Sequence, residues 1–415
     1  MNDEVDFVGT CSYLTLVWFF QPRACRGSLY TQRLKLLAGG FLAVLLFFPP
    51  LCQSQTISIV SGNGQLVCPD CSGAPGTYAP LVVQVDNAAG SPVANTIVTW
   101  TATQQGYQPV MTTTVTDSSG QSSYIFMPSP VSSGLSPATV VASALNATNT
   151  FVETTSAPAS GGGPSANASL SPQTGAPPVL DGAAGSTSTT PIQVSVMGPD
   201  GPVPGISVML QAGANGPNVS CVTQSGQGSQ PGAVFTNAAG TAICTPVFGG
   251  TIGIGTYTVV VGGSFATFGP ANLTVTTGPP ALIKYLSASN QNVNPGAQAP
   301  VPLLAVVTDL AGNPVAGAAV TWAVTAGSAT LTNEVLISPS NGYVSANVTP
   351  TAGPVQVTVA LAGLSSPPCT FTVNVIETIT ALQIVAGNNQ QTTEGAAFPN
   401  PLIVQVNDNS TQCRA

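Results

Sequence analysis

Short runs in which Val, Ile and Leu alternate with polar residues recur along this chain, separated by clusters of Gly, Pro, Asn and Asp. Period-two alternation bounded by turn residues predicts half-buried strands joined by tight turns. The runs also recur as phrases. Pro80–Trp100 reads PLVVQVDNAAGSPVANTIVTW and Pro302–Trp322 reads PLLAVVTDLAGNPVAGAAVTW, sharing 11 of 21 positions without a gap. Each copy predicts a strand, a turn and a second strand. Gly90 and Gly312 can supply a positive φ, and Pro92 and Pro314 fix the exit of the turn. Trp100 and Trp322 then enter a buried sheet face, where so large a side chain is a natural core centre.

Three further phrases repeat. TTTVTDSSGQSSYIF (112–126), GAVFTNAAGTAICTPV (232–247) and VLISPSNGYVSANV (335–348) read strand, turn, strand, anchored on Gly120, Gly240 and Gly342. A hairpin-like pair closes each unit, and an opening strand recurs as ISIVSGNGQ (57–65), LQIVAGNNQ (382–390) and, more loosely, IKYLSASNQ (283–291). About seven strands in a repeat of roughly 100–115 residues match the size of an immunoglobulin-like sandwich. The predicted order is a leader (1–55), a first domain (56–153), a flexible linker TTSAPASGGGPS (154–165) and a divergent second domain (166–277). A stiff TGPP (277–280) leads to a third domain (281–376), and 378–415 reads as the truncated start of a fourth. The second domain keeps PIQVSVMGPDGPVPGISVML with a shorter turn, and Leu210 stands where the others carry Trp.

Composition narrows what such domains can do. Of 415 residues only 5% are charged, none is His, and Gly (44) and Pro (37) are abundant, yet the patterning argues against a disordered stalk. Four of the six basic residues (Arg23, Arg26, Arg33, Lys35) fall in the leader, leaving Lys284 and Arg414 beyond it. Two isolated cations cannot neutralise a row of phosphates or hold an anionic bilayer, so no nucleic acid and no membrane surface is expected as a partner. In the leader, Arg33 and Lys35 precede an apolar run (36–48), then Pro49-Pro50 and Cys52-Gln53-Ser54, the layout of a cleavable secretory signal. The run is too short to span a bilayer comfortably, and no membrane span is expected in the mature chain.

Export permits disulfides. Cys221 and Cys244 fall within one domain and are a candidate pair; Cys68 and Cys71, in CPDC, are a candidate local loop. A redox use of CPDC would need a strand-to-helix setting, and a zinc site would need two more ligands, so structural use is expected.

The stretch Asp309-Leu-Ala-Gly312-Asn313-Pro314-Val315-Ala-Gly317-Ala-Ala-Val320-Thr-Trp322, continued by SNGYVSANV at Ser340–Val348, resembles bacterial immunoglobulin-like domains of group 1, the invasin/intimin type. The resemblance covers most of 281–376 well, 56–153 fairly, 166–277 loosely and 378–409 as a fragment. It implies an all-β chain of tandem immunoglobulin-like β-sandwiches after an N-terminal signal segment, secreted or held at the cell surface. The terminal lectin-like module and the membrane barrel of the best-known relatives have no counterpart in this sequence.

Without His, a Ser-His-Asp or Cys-His arrangement is impossible. The acids stand singly, mostly in turns, and no phosphate loop or dinucleotide fingerprint occurs. No enzyme activity, catalytic residue or cofactor is therefore expected. Calcium is the one cation these turns could suit, at Asp309 with Asn313 and at Asp86 with Asn87, but those residues are expected to satisfy turn backbone instead. Two readings of function follow. One is a structural spacer or stalk acting in cell adhesion, with a host or neighbouring-cell surface protein or glycan as partner. The other is a carbohydrate- or protein-binding module of a larger extracellular protein, using loop aromatics such as Tyr78 and Tyr107.

Overall fold

A computed structural model describes residues 55–408, apart from 172–174, 288 and 377. The leader with its apolar run (36–48) and Cys52-Gln53-Ser54, and the tail from 409 with Cys413 and Arg414, lie outside the described residues. Every regular element among those described is a strand.

The first domain contains β1 (Thr56–Ser61), β2 (Leu66–Val67), β3 (Leu81–Asp86), β4 (Ile97–Gln104), β5 (Val110–Val115), β6 (Gln121–Tyr124), β7 (Leu135–Ala144) and β8 (Ala147–Ser156). They form two sheets, β1-β3-β6 and β2-β8-β7-β4-β5. The phrase from Pro80 to Trp100 is therefore not a hairpin. Its two strands lie in opposite sheets, and the turn between them carries the chain across the sandwich. Alternation explains the core: Leu81, Val83 and Val85 on β3 and Val98, Trp100 and Ala102 on β4 are buried, while their neighbours face outward.

The second domain contains β9 (Asn167–Ser171), β10 (Leu180–Ala183), β11 (Ile192–Gly198), β12 (Gly201–Pro202), β13 (Ser207–Ala212) and β14 (Val219–Cys221). It continues with β15 (Ala233–Phe235), β16 (Thr241–Cys244), β17 (Pro246–Phe248), β18 (Gly253–Val261) and β19 (Ala266–Thr276). One sheet runs β10-β19-β18-β13-β15; β9, β12 and β16 all pair with β11, and β14 pairs with β17. The third domain contains β20 (Leu282–Ser287), β21 (Gln291–Val293), β22 (Leu303–Thr308), β23 (Val320–Thr332), β24 (Tyr343–Leu361) and β25 (Cys369–Val375). Here β24 is long enough to pair with β22 over Tyr343–Ala346 and with β23 and then β25 beyond them, joining the two layers.

One topological device recurs. The first edge of each sandwich is divided between both sheets. β1 and β20 pair antiparallel with β3 and β22, after which β2 and β21 cross to run parallel with the last strands, β8 and β25. In the second domain β9 and β10 split in the same way, between β11 and β19. Residues 379–408 add a hairpin of β26 (Ile379–Ala386) and β27 (Ile403–Asp408). Its Leu382, Ile384, Val404 and Val406 hold the register positions of Ile57, Ile59, Val83 and Val85, but are exposed.

The stretch 154–165 is not a free linker. Thr154, Thr155 and Ser156 complete β8, and they and Ala157 are buried. Ala157 N donates to Gly134 O at 2.9 Å and Ser165 N to Ala157 O at 3.0 Å, while Pro158 bridges Pro164. The glycine run supplies a tight reversal, with Gly162 at φ 78°, rather than a tether.

Candidate functional site

The residues singled out by the repeats sit where each domain is closed and where it meets its neighbour. Gly120, Gly240 and Gly342 all have positive φ, and each carbonyl accepts from the core valine at the end of the phrase's first strand (Val85, Val196, Val307) at 2.8–2.9 Å. A Cβ on Gly120 would lie 2.9 Å from the Pro92 Cβ, and one on Gly342 would lie 3.0 Å from the Pro314 Cβ. Gly240 faces Pro202 in the same way. The repeated glycine and the repeated proline are thus two sides of one contact. Gly90 and Gly312, at φ 75° and 91°, turn the chain in open space.

The three core positions differ. Trp100 is fully buried, donates to Thr114 Oγ1 at 2.7 Å and packs against Tyr124 and Phe151. Leu210 is buried in the second domain's core with Phe248 and Tyr257. Trp322 is only half-buried, contrary to the expected equivalence; it stacks on Phe371 and donates to Val335 O at 3.3 Å. Register explains the difference. Leu81 pairs with Tyr124, whereas Leu303 pairs with Ala346, so the third domain has no aromatic lid. The strand β5 that flanks Trp100 is also replaced in the third domain by an irregular segment at 333–337.

Cys221 on β14 and Cys244 on β16 form a disulfide between buried positions, with Cα atoms 5.1 Å apart. Cys68 is bonded to Cys71. Cys369 is a buried free thiol, and burial pushes its pKa up. Among the described residues no three His, Cys, Asp or Glu stand together as a metal site, and no helix is long and apolar enough to cross a membrane. Of the two loop aromatics, Tyr78 is removed from any ligand face. It is buried, stacked on Phe126, with its hydroxyl 2.8 Å from Thr155 Oγ1. Tyr107 is exposed, and its hydroxyl donates to Pro130 O at 2.6 Å.

Two junctions join successive domains through polar contacts. At the first, the loop 62–66 seats on the second domain. Ser207 N donates to Gly64 O at 2.8 Å, Leu66 N to Gly262 O at 3.0 Å, and Asn63 N to Gln230 Oε1 at 2.9 Å. Leu66 itself is buried within the second domain's core cluster. Beneath the loop, Glu153 Oε2 accepts from Gln65 N at 2.8 Å. A cavity of about 390 Å³ opens beside this junction, lined by Asn63, Thr150, Gln224, Gln227, Ser229 and Phe235.

At the second junction the turn of the third domain's phrase docks on the second domain. Asp309 is buried; its Oδ2 accepts from Gly278 N at 2.9 Å and from Asn313 Nδ2 at 3.0 Å, and its Oδ1 from Asn313 N at 2.8 Å. Asn313 Nδ2 also donates to Gly250 O at 2.8 Å. Burial alone would raise the Asp309 pKa, but these hydrogen bonds win and hold it below the ordinary value. Its oxygens face N–H donors, the surroundings of a backbone clasp. Asp86 holds Gln84 Nε2 at 2.9 Å, and Asn87 accepts from Ala89 N and Ser91 N within its own turn.

Sequence reading missed two of these features. One is Glu153. The other is a glutamine staple: Gln65, Gln291 and Gln390, each ending an opening phrase, accept from Ala79 N, Val301 N and Asn400 N. The recurring final Gln of ISIVSGNGQ, IKYLSASNQ and LQIVAGNNQ was its signal.

Split-edge sandwiches with this cross-sheet phrase define a tandem immunoglobulin-like chain. Within it, residues 284–376 match the family model of bacterial Ig-like domains (group 1). No curated protein sequence matches the chain. Among solved structures, the crystal structure of invasin, a bacterial integrin-binding protein, aligns at 15% identity and a TM-score of 0.27, over 86% of this chain and 67% of that one. The D00-D0 domain of intimin aligns at 14% identity and a TM-score of 0.29, over 51% and 100%. The Escherichia coli adhesin FdeC aligns at 18% and 0.27, over 77% and 96%. The fold of this chain rests on its own strand topology.

Proposed function

We propose that this chain is an exported bacterial surface protein whose sandwiches act as a structural spacer in cell adhesion. The observation that supports it most is the pair of junctions. Backbone and side-chain hydrogen bonds lock each sandwich to the next, using residues of the repeated phrases themselves. A chain built to hold successive domains in register, with Asp117, Glu153 and Asp309 engaged by backbone N–H groups, is suited to presenting something at a distance. Adhesion enters through the resemblance of Asp309–Trp322 to invasin/intimin-type repeats.

The test uses bacteria producing the full chain with an epitope inserted at Gly161, on the exposed tip of the 158–164 loop. The expected result is antibody labelling of intact cells, and no turnover of polysaccharide or peptide by the purified chain. Antigen retained inside intact cells, or hydrolysis, would overturn the proposal. A second reading, a carbohydrate-binding module, is favoured by the uncharged amide and hydroxyl lining of the cavity beside the first junction, with Phe235 in its wall. Glycan-array binding abolished by Phe235→Ala would establish it in place of the spacer.

A further inference from the structure

Glu153 is fully buried in a region without a cation. Lys284, the one basic residue among those described, belongs to β20 of the third domain. Its own strand β8, the adjacent β7 and the loop 62–66 hold no other titratable side chain. Neither do the parts of the second domain that meet this loop, 205–212, 224–236 and 262–266. Tyr78 is the titratable group that faces Glu153; as a neutral phenol it supplies no counter-charge, and its hydroxyl is engaged with Thr155.

The carboxyl is also incompletely satisfied. Oε2 accepts from Gln65 N, whereas Oε1 is buried and has no hydrogen-bond partner among the described residues. A buried carboxylate without a counter-ion is costly, and such a group neutralises or gains water. Its pKa accordingly stands well above the ordinary carboxylate value: burial pushes it up, and the N–H groups of Gln65 and Gly64 only partly pull it back. The loop that covers Glu153 is the one that seats the first domain on the second.

We propose that Glu153 is a pH-operated latch on the junction between the first and second domains. As the neutral acid it leaves loop 62–66 seated; on losing its proton it drives the loop open, admitting water to the carboxylate. Opening would break the Gly64–Ser207, Leu66–Gly262 and Asn63–Gln230 hydrogen bonds together, because all are made by that loop. The direction follows from linkage. The folded form holds the proton more tightly than the unfolded chain. The junction is therefore strongest below the ordinary value of 4.5, and weakens as pH rises toward the raised one.

Amide hydrogen exchange on the full chain tests this at pH 4.5, 6 and 8, corrected for intrinsic rates and compared with Glu153→Gln. Protection of Gly64, Gln65, Leu66 and Ser207 should fall by about tenfold per pH unit once ionisation drives opening, and should be flat in the variant. The same pH dependence in both proteins, or none in the wild type, would overturn the latch. Should Glu153→Gln fail to fold, the side-chain carboxyl ¹³C shift of Glu153 can be titrated in the wild type alongside the exchange. Coincident midpoints support the proposal; ionisation with unchanged exchange at the junction refutes it.

Discussion

Trp100 and Trp322 end the same phrase on equivalent strands, yet one is sealed beneath Tyr124 and Phe151 and the other lies half-open against Phe371. The turns inside the phrase differ in the opposite sense. In the first domain the turn Asn87–Pro92 satisfies itself and is largely exposed; in the third, Asp309 in the position of Asn87 is buried against the preceding domain. The same phrase thus invests in the core in one copy and in the junction in the other. A repeated sequence specifies a backbone path. The strength of each contact along that path depends on residues the phrase does not contain.

The largest expected effect should break this comparison at its core. Trp100→Ala should destabilise the first domain by about 3–5 kcal/mol, whereas Trp322→Ala should cost the third domain about half as much, since less area leaves water there. Thermal unfolding of the two variants, each followed by a probe in its own domain, gives the ratio; equal losses would show that the lid formed by Tyr124 is unimportant. The glycine–proline contact should not discriminate between domains. Gly120→Ala and Gly342→Ala each force a Cβ to within 3.0 Å of backbone or proline atoms at positive φ, and each should cost about 1–3 kcal/mol. A large effect in only one of them would disprove the equivalence of the two turns.

Asp309→Ala should cost about 1–3 kcal/mol by leaving Gly278 N unpaired, while Asn87→Ala at the matching position should cost under about 1 kcal/mol. Differential scanning calorimetry would show the Asp309 variant uncoupling the third domain's transition from the second's. The smallest effect is one of pH. Because hydrogen bonds depress the Asp309 pKa, its contribution is present above the ordinary value of 3.8 and is lost as pH falls through the lower folded value. The third domain's docking should weaken in acid, and the Asn87 turn, which does not titrate, should be indifferent. Denaturation between pH 2 and 6 in wild type and Asp309→Asn checks this; an identical slope in both would remove Asp309 as the cause.

Much of this architecture was legible from local pattern. Alternation marked the strands, because a sheet buried on one face requires period two, and the Gly–Pro turns marked the crossings between sheets. The pairing of Cys221 with Cys244 was also within reach, since both fall in one repeat. Other features were hidden for a physical reason. Thr154–Ala157 looked like the start of a polar, glycine-rich tether, but β2 and the Gly134 carbonyl, far away in sequence, claim its backbone. Tyr78 looked like a loop aromatic, and Phe126 and Thr155 bury it.

By itself the sequence determined that this chain folds as successive all-β sandwiches with a common turn, because strand period and turn chemistry are properties of neighbouring residues. Only the tertiary structure decided what those residues do for one another. Asp309 and its partner Asn313 became a clasp because Gly278 and Gly250 come to lie beside them, 31 and 63 residues back along the chain respectively. Glu153 became a buried, uncompensated acid because a loop nearly 90 residues away closes over it and no cation lies within the first two domains. Burial, and the energy of a charge within it, depends on what the fold brings near, and the order of residues along a strand does not state that.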